Sequence, residues 1–180
     1  KTDANGNIIW AKTYGGTFSD RAYSVQQTSD GGYIVAGYTQ PFAGSVDIFL
    51  IKTDANVNIQ WAKTYRGTNW DYGYSVQQTS DGGYIVLGRT RSFGADSADI
   101  LLIKTDANGN IQWAKTYGGT NWDEARSVQQ TSDGGYIVAG YTNSFGAGSW
   151  DLFLIKTDAN GNIIWAKTYG GTFSDRAYSV

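Results

Sequence analysis

Residues 47–65 read DIFLIKTDANVNIQWAKTY, which is two strands folded back across a turn. Ile48, Phe49, Leu50 and Ile51 run apolar without a break, so this strand offers hydrocarbon on both faces and must be covered on both. The partner strand differs. In its copy near the chain start, Ile8, Trp10 and Tyr14 share one face, while Ile9, Ala11 and Thr13 share the other. The position of Ile9 becomes Gln60 and Gln112 in later copies, which marks an outer strand with one wetter face. The turn between them spells DANGN elsewhere, as at Asp3–Asn7, with Val57 replacing its Gly here. Asn-Gly predicts a type I′ hairpin, in which both central residues take positive φ.

Working outward toward the N-terminus, two more strands appear: Tyr23–Thr28 (YSVQQT) and Tyr33–Thr39 (YIVAGYT). The turn SDGG, Ser29–Gly32, joins them. Ile, Val, Tyr, Trp and Thr dominate all four strands and suit a pleated, half-buried surface. No stretch shows apolar residues at helical spacing. The unit is therefore a four-stranded antiparallel meander, and it recurs. KTDAN begins at Lys1, Lys52, Lys104 and Lys156, giving repeats over 1–51, 52–103 and 104–155 and a partial repeat over 156–180. A repeat of about 52 residues with four strands, each sheet buried on both faces, predicts an all-β fold of β-propeller-type blades.

On those residues the chain resembles the β-propeller repeats of secreted and surface proteins in bacteria and archaea. Their pattern runs KTDxxGNxxWxKTxGGxxxD, then SVxQTxDGGYIxxGxTxSFGxGxxD. The blades are similar to those of kelch and quinoprotein propellers. The resemblance covers the whole chain and implies an extracellular or cell-surface location, but carries no cofactor with it. Three departures stand out: Val57 for the turn Gly, Arg66 for the first Gly of TYGGT, and QPFAG in the first repeat where later ones have RSFGA and NSFGA.

Composition narrows the function classes. The chain has no His, Cys or Met, and its only Glu is Glu124. Ser-His-Asp and Cys-His catalysis, histidine and thiolate metal sites and disulfides are therefore excluded, and a carboxylate pair would have to be built from Asp. No phosphate-binding G-x-x-x-x-G-K-[ST] occurs. A formal net charge of −2 offers no footprint for nucleic acid, and no apolar run is long enough to insert in a membrane as a helix. No signal peptide is visible, and the chain starts inside its own pattern, so its natural beginning is expected to lie elsewhere. Asp3, Asn5 and Asn7 echo a calcium loop, but its Gly is misplaced and its twelfth-position Glu is missing, so no metal is expected.

Comparison among the copies separates fixed from variable columns. The turns, YIV and WAKTY barely change. Two connections do change: the one entering the first strand (Phe18–Tyr23, Asn69–Tyr74, Asn121–Arg126), and the one between the second and third (Gln40–Val46, Arg91–Ala98, Asn143–Trp150). A meander places both at one end of the sheet. Variable loops on a fixed scaffold are a common binding surface, and relaxed selection on exposed loops is the alternative. Trp70, Asp71, Tyr72, Trp122, Asp123, Glu124 and Trp150 are the candidate ligand-binding residues there, aromatics beside carboxylates suited to a glycan or a protein. Anchoring of the loops is the competing role. Trp10, Trp61, Trp113 and Trp165 are expected to pack blade on blade. The recurring Asp20, Asp71, Asp123 and Asp175, with Asp47, Asp99 and Asp151, are expected to accept backbone N–H groups.

Lys1–Val25 and Lys156–Val180 are identical. Each holds the end of a third strand, a whole fourth and the start of a first, so two of them cannot supply the missing middle of a seventh blade. Six blades from two chains, a window on a longer array, and an open superhelix or filament all remain. An arc of three blades leaves two apolar faces bare, which predicts self-association rather than a monomer. The expected role is a non-catalytic structural and interaction module, with a glycan- or protein-binding propeller as the alternative.

Overall fold

The computed structural model describes residues 1–40, 45–95 and 97–180. Gln40–Val46 and Arg91–Ala98 therefore lie partly outside the described residues. Among the described residues twelve strands form three four-stranded antiparallel meanders. The first sheet holds β1 (Asp20–Gln27), β2 (Tyr33–Thr39), β3 (Asp47–Thr53) and β4 (Ile59–Tyr65). The second holds β5 (Asp71–Gln78), β6 (Tyr84–Thr90), β7 (Asp99–Thr105) and β8 (Ile111–Tyr117). The third holds β9 (Asp123–Gln130), β10 (Tyr136–Thr142), β11 (Asp151–Thr157) and β12 (Ile163–Tyr169). The architecture is all-β and repeated. Among the described residues every strand ladder stays within its own sheet, a single parallel bridge between Val46 and Trp70 spans the first junction, and no ring closes.

The cores lie between sheets, and strand alternation decides which side chain enters which core. In β6 and β7, Tyr84, Val86, Leu101 and Ile103 meet Ile34, Ala36, Ile48 and Leu50 of the first sheet. Their neighbours Ile85, Leu87, Ile100 and Leu102 turn the other way, onto Val138, Phe153 and Ile155 of the third. All seven residues of β7 are buried, as the unbroken apolar run required. Three further contacts repeat at every junction. The Trp of each outer strand sits edge-on against the Tyr that opens the next sheet's second strand, with centroids 5.8 Å apart for Trp61–Tyr84 and Trp113–Tyr136. The Tyr65 and Tyr117 hydroxyls donate to the Gly109 and Gly161 carbonyls of the next sheet's turn, at 2.8 and 2.7 Å. Gln26 and Gln77 accept the Gln78 and Gln130 amides at 2.6 Å, which occupies edge groups that would otherwise be open to pairing.

Three expectations need correcting. The first strand begins at Asp20, not Tyr23, because it continues through a β-bulge between Ala22 and Ser24 that recurs at Gly73/Ser75 and Ala125/Ser127. The DANGN turn is not type I′. Gly6 donates to Asp3 O, Asp3 donates to Asn7 O, and only the Gly has positive φ, a type I turn followed by a left-handed residue. Its Asp explains the preference: Asp3 Oδ1 accepts the Asn5 and Asn7 amides, which selects the turn before the Gly closes it. Finally, Ile8–Tyr14 does not form a strand: it joins no ladder among the described residues, and the segment's β-bridge is its own, Thr2 to Ile8.

Candidate functional site

Both variable connections lie at the same end of the stack, and they touch across junctions. Asp71 N donates to Val46 O and Asp123 N to Ala98 O, each at 2.7 Å, so one sheet's second-to-third connection holds the next sheet's first strand. The candidate carboxylates here are buried and occupied. Asp71 accepts the Thr90 and Ser92 hydroxyls at 2.5 and 2.7 Å. Asp123 accepts those of Thr142 and Ser144 and the Gly119 amide. Asp47 and Asp99 are also buried, and burial pushes their carboxyls above the usual range.

The structure brings Trp70, Tyr72, Trp122 and Glu124 into one cluster through three arginines that are not among the candidate residues, Arg91 and Arg126 from the variable connections and Arg89 from β6. The Arg89 guanidinium lies 4.6 Å from the Tyr72 ring and 4.7 Å from that of Trp122. Arg91 lies 5.0 Å from Trp122 and 5.9 Å from Trp70. Glu124 is 2% exposed and sits between Arg89, at 3.1 Å, and Arg126, while accepting the Trp122 indole N–H at 3.1 Å. Arg126 covers Tyr74 at 4.0 Å. Trp150 belongs to a separate cluster at the far junction, with Tyr141 at 5.3 Å and Arg176 at 5.0 Å. The equivalent place at the first junction is aromatic: Tyr38 meets Tyr72, and Tyr23 meets Tyr74. The signal for Arg89 in the sequence is one variable column inside an otherwise fixed strand, Tyr38, Arg89 and Tyr141.

This arrangement presents half-exposed aromatic edges with guanidinium groups on their faces, and holds its carboxylates inside. Trp70 is the most open of the three candidate tryptophans, at 43%. Among the described residues no group of three or more acidic side chains is placed to hold a metal. The Asp–Asn turns hold their own carboxylates, as Asp54 does with the Asn56 and Asn58 amides.

No protein-family model matches the chain. It is 27% identical over 213 aligned residues to a protein of Caulobacter vibrioides named Regulatory protein FlaEY, in an alignment covering 98% of this chain. The chain spans about a fifth of that relative's length (22%).

Proposed function

We propose that the chain is a non-catalytic structural and interaction module, built of propeller-type blades of the kelch and quinoprotein kind, whose stacking faces are its working surfaces. One observation carries the reading: the columns that bury hydrocarbon between sheets lie open at the two ends. Val76 and Val128 are 5% and 4% exposed, and Val25 in the same column is 65%. Tyr117 is 5% exposed, and its counterpart Tyr169 is 50%. Faces of this kind take partners. The partner is a second copy, stacked head-to-tail into a ring or a filament according to the rotation per unit. An extracellular or cell-surface setting follows from the resemblance of the repeats. The relative's name marks that protein as regulatory, a role compatible with a segment that works by binding.

The test is the native mass across a concentration series, by light scattering. A discrete small oligomer or a ladder of multiples supports the reading, and a monomer throughout overturns it. A second reading, a glycan or protein ligand at the loop end, draws on the exposed Trp70 beside Trp122. Replacing both with Ala should then abolish binding in a glycan or protein screen while leaving the mass unchanged. Unaltered binding would remove the aromatic loops from consideration.

A further inference from the structure

Two residues at which the second repeat departs from the others border one cavity. Between the outer strand of the first sheet, β4, and β7 and β8 of the second lies a cleft of about 390 Å³. Its walls are mostly hydrocarbon, from Tyr65, Phe93, Leu101, Ile103, Ile111 and Ala114. Leu101 and Ile103 are buried at its floor, while Phe93 and Ile111 stand half open at its mouth. The Tyr65 hydroxyl, bonded to the Gly109 carbonyl, fixes one wall. A cleft of that size, apolar with a few polar groups, suits a small organic ligand. The column of Leu101 holds Phe49 and Phe153 in the other sheets, and the column of Arg66, also at the cleft, holds Gly15, Gly118 and Gly170. At the second junction the Phe153 ring meets Phe145, with centroids 5.7 Å apart. At the first junction Phe93 is the counterpart of Phe145, and Leu101 offers it no ring.

Arg66 stands at the rim of this cleft with its side chain 58% exposed. Its contact with the buried Asp47 is loose, 3.6 Å at Nε, and a guanidinium carries five N–H donors, so it can take a second anion. The other carboxylate at the cleft, Asp71, is buried and already accepts the Thr90 and Ser92 hydroxyls. Lys115 also borders the cleft, but its ammonium is held by Asn162 of the third sheet. Arg66 is thus the cation a ligand would meet. We propose that the cleft is a binding site for a small aromatic carboxylate, its ring on Leu101 beside Phe93 and its carboxylate on the Arg66 guanidinium. The ring takes the part that Phe153 plays at the second junction, in the tilted or edge-on contact that aromatic pairs prefer. It also covers the apolar surface of Phe93 and Ile111 that water otherwise touches. The site lies at an internal junction and needs no second copy. Neither Trp70 nor Trp122 lines it, so it is separate from the loop-end aromatics.

Phenylacetate and its uncharged isostere phenylacetamide are the probes, titrated into the full chain while the methyl signals of Leu101, Ile103 and Ile111 are followed by NMR. Phenylacetate should shift these signals saturably, with a Kd of about 1 mM or tighter for a ligand of this size. Leu101→Phe supplies the ring from within, as the other two sheets do, and should weaken binding by about tenfold or more. Ala114→Leu narrows the cleft from β8, at an exposed position, and should do the same; it decides the case if Leu101→Phe unfolds in a thermal melt. Arg66→Gly restores the TYGGT of the other copies. It should weaken phenylacetate about fivefold, the size of one exposed ion pair, and leave phenylacetamide unchanged. No saturable shift with either probe overturns the site. Binding that survives both cleft-filling variants places the ligand elsewhere and overturns it as well. An amide that loses as much as the acid with Arg66→Gly overturns the pairing of the carboxylate with Arg66.

Discussion

Glu124 gives the most direct test of how one junction differs from another. Its carboxylate is buried between Arg89 and Arg126 and accepts the Trp122 N–H. Replacing it with Ala leaves two guanidinium groups facing each other with no counter-charge. Losing one partner of a fully buried pair costs about 3–5 kcal/mol. The Arg126 side chain is 32% exposed and can recruit water, so the low end applies, about 3 kcal/mol. For a chain of this length that lowers Tm by about 6–12 °C. The first junction shows how to offset the loss without charge, since Tyr38, Tyr72 and Tyr74 occupy the corresponding places and pack edge-to-face or stacked at 5.1 and 6.3 Å. The triple variant Arg89→Tyr, Glu124→Tyr, Arg126→Tyr copies that solution into the second junction and should cost about 1 kcal/mol or less. Urea unfolding followed by tryptophan fluorescence measures both variants. If Glu124→Ala is harmless, or if the triple variant is no better than the single one, the junctions are not interchangeable in the way argued.

Acidification should first stabilise the fold and then destabilise it. Asp47 and Asp99 are held above their ordinary value of 3.8 by burial, so they oppose folding at neutral pH, and protonation relieves them as pH falls toward that value. Asp30 is pulled down to about 2 by hydrogen bonds from Lys52 and Thr28, so its contribution is complete above 3.8 and disappears as pH falls through about 2. Thermal melts should therefore peak near pH 4 (about the ordinary Asp value), and Asp99→Asn should flatten the limb between neutrality and that peak. A Tm that falls steadily from pH 7 would contradict this. A third test uses the turn. A Cβ at Gly109, where φ is 74°, would lie 2.9 Å from the Trp61 ring. Gly109→Val should cost about 2 kcal/mol or more from backbone strain and overlap together. Val57 already tolerates φ of 60° at the equivalent place and is buried, so Val57→Gly should change stability by less than about 1 kcal/mol, strain relief offsetting lost burial. Chemical denaturation of the two variants side by side reads the contrast.

Most of the fold was legible because its signals are local and are written three times. Ile48–Ile51 demanded cover on both faces, and the equivalent run in β7 of the middle sheet has it, with a sheet on either side. The turn-forming Asp, Asn and Gly set the hairpins, even though the turn type was misread: Asn-Gly is compatible with two hairpin geometries, and the Asp three residues before the Gly chooses between them. Ile8–Tyr14 was misread for a different reason. The segment has every residue of a strand, but a strand exists only where a partner offers its edge, and among the described residues none does. The loop end was only half legible. Trp70, Trp122 and Glu124 could be named, since composition flags them. Arg89 could not, because it stands in a strand whose neighbours are constant, and it reaches Glu124 across a junction 35 residues away along the chain.

That separation between constant and variable columns explains how one repeat can be stacked many times and still keep its order. The constant contacts, Trp on Tyr, Tyr on the turn carbonyl and Gln on the amide, let any sheet seat on any other. The variable column then decides which seating is tolerated. Arg89 faces Glu124 and could not face an arginine at that place without leaving two buried cations opposed. Tyr141 faces Arg176, and an aromatic ring accepts a cation over its face. An arginine at the place of Glu124 is therefore accepted on the third sheet and unwelcome on the second. Strand propensity and hydrophobic alternation build interchangeable sheets. A handful of charges and rings at one end of the junction makes their sequence directional, so the loop end acts in ordering the stack whether or not a ligand also binds there.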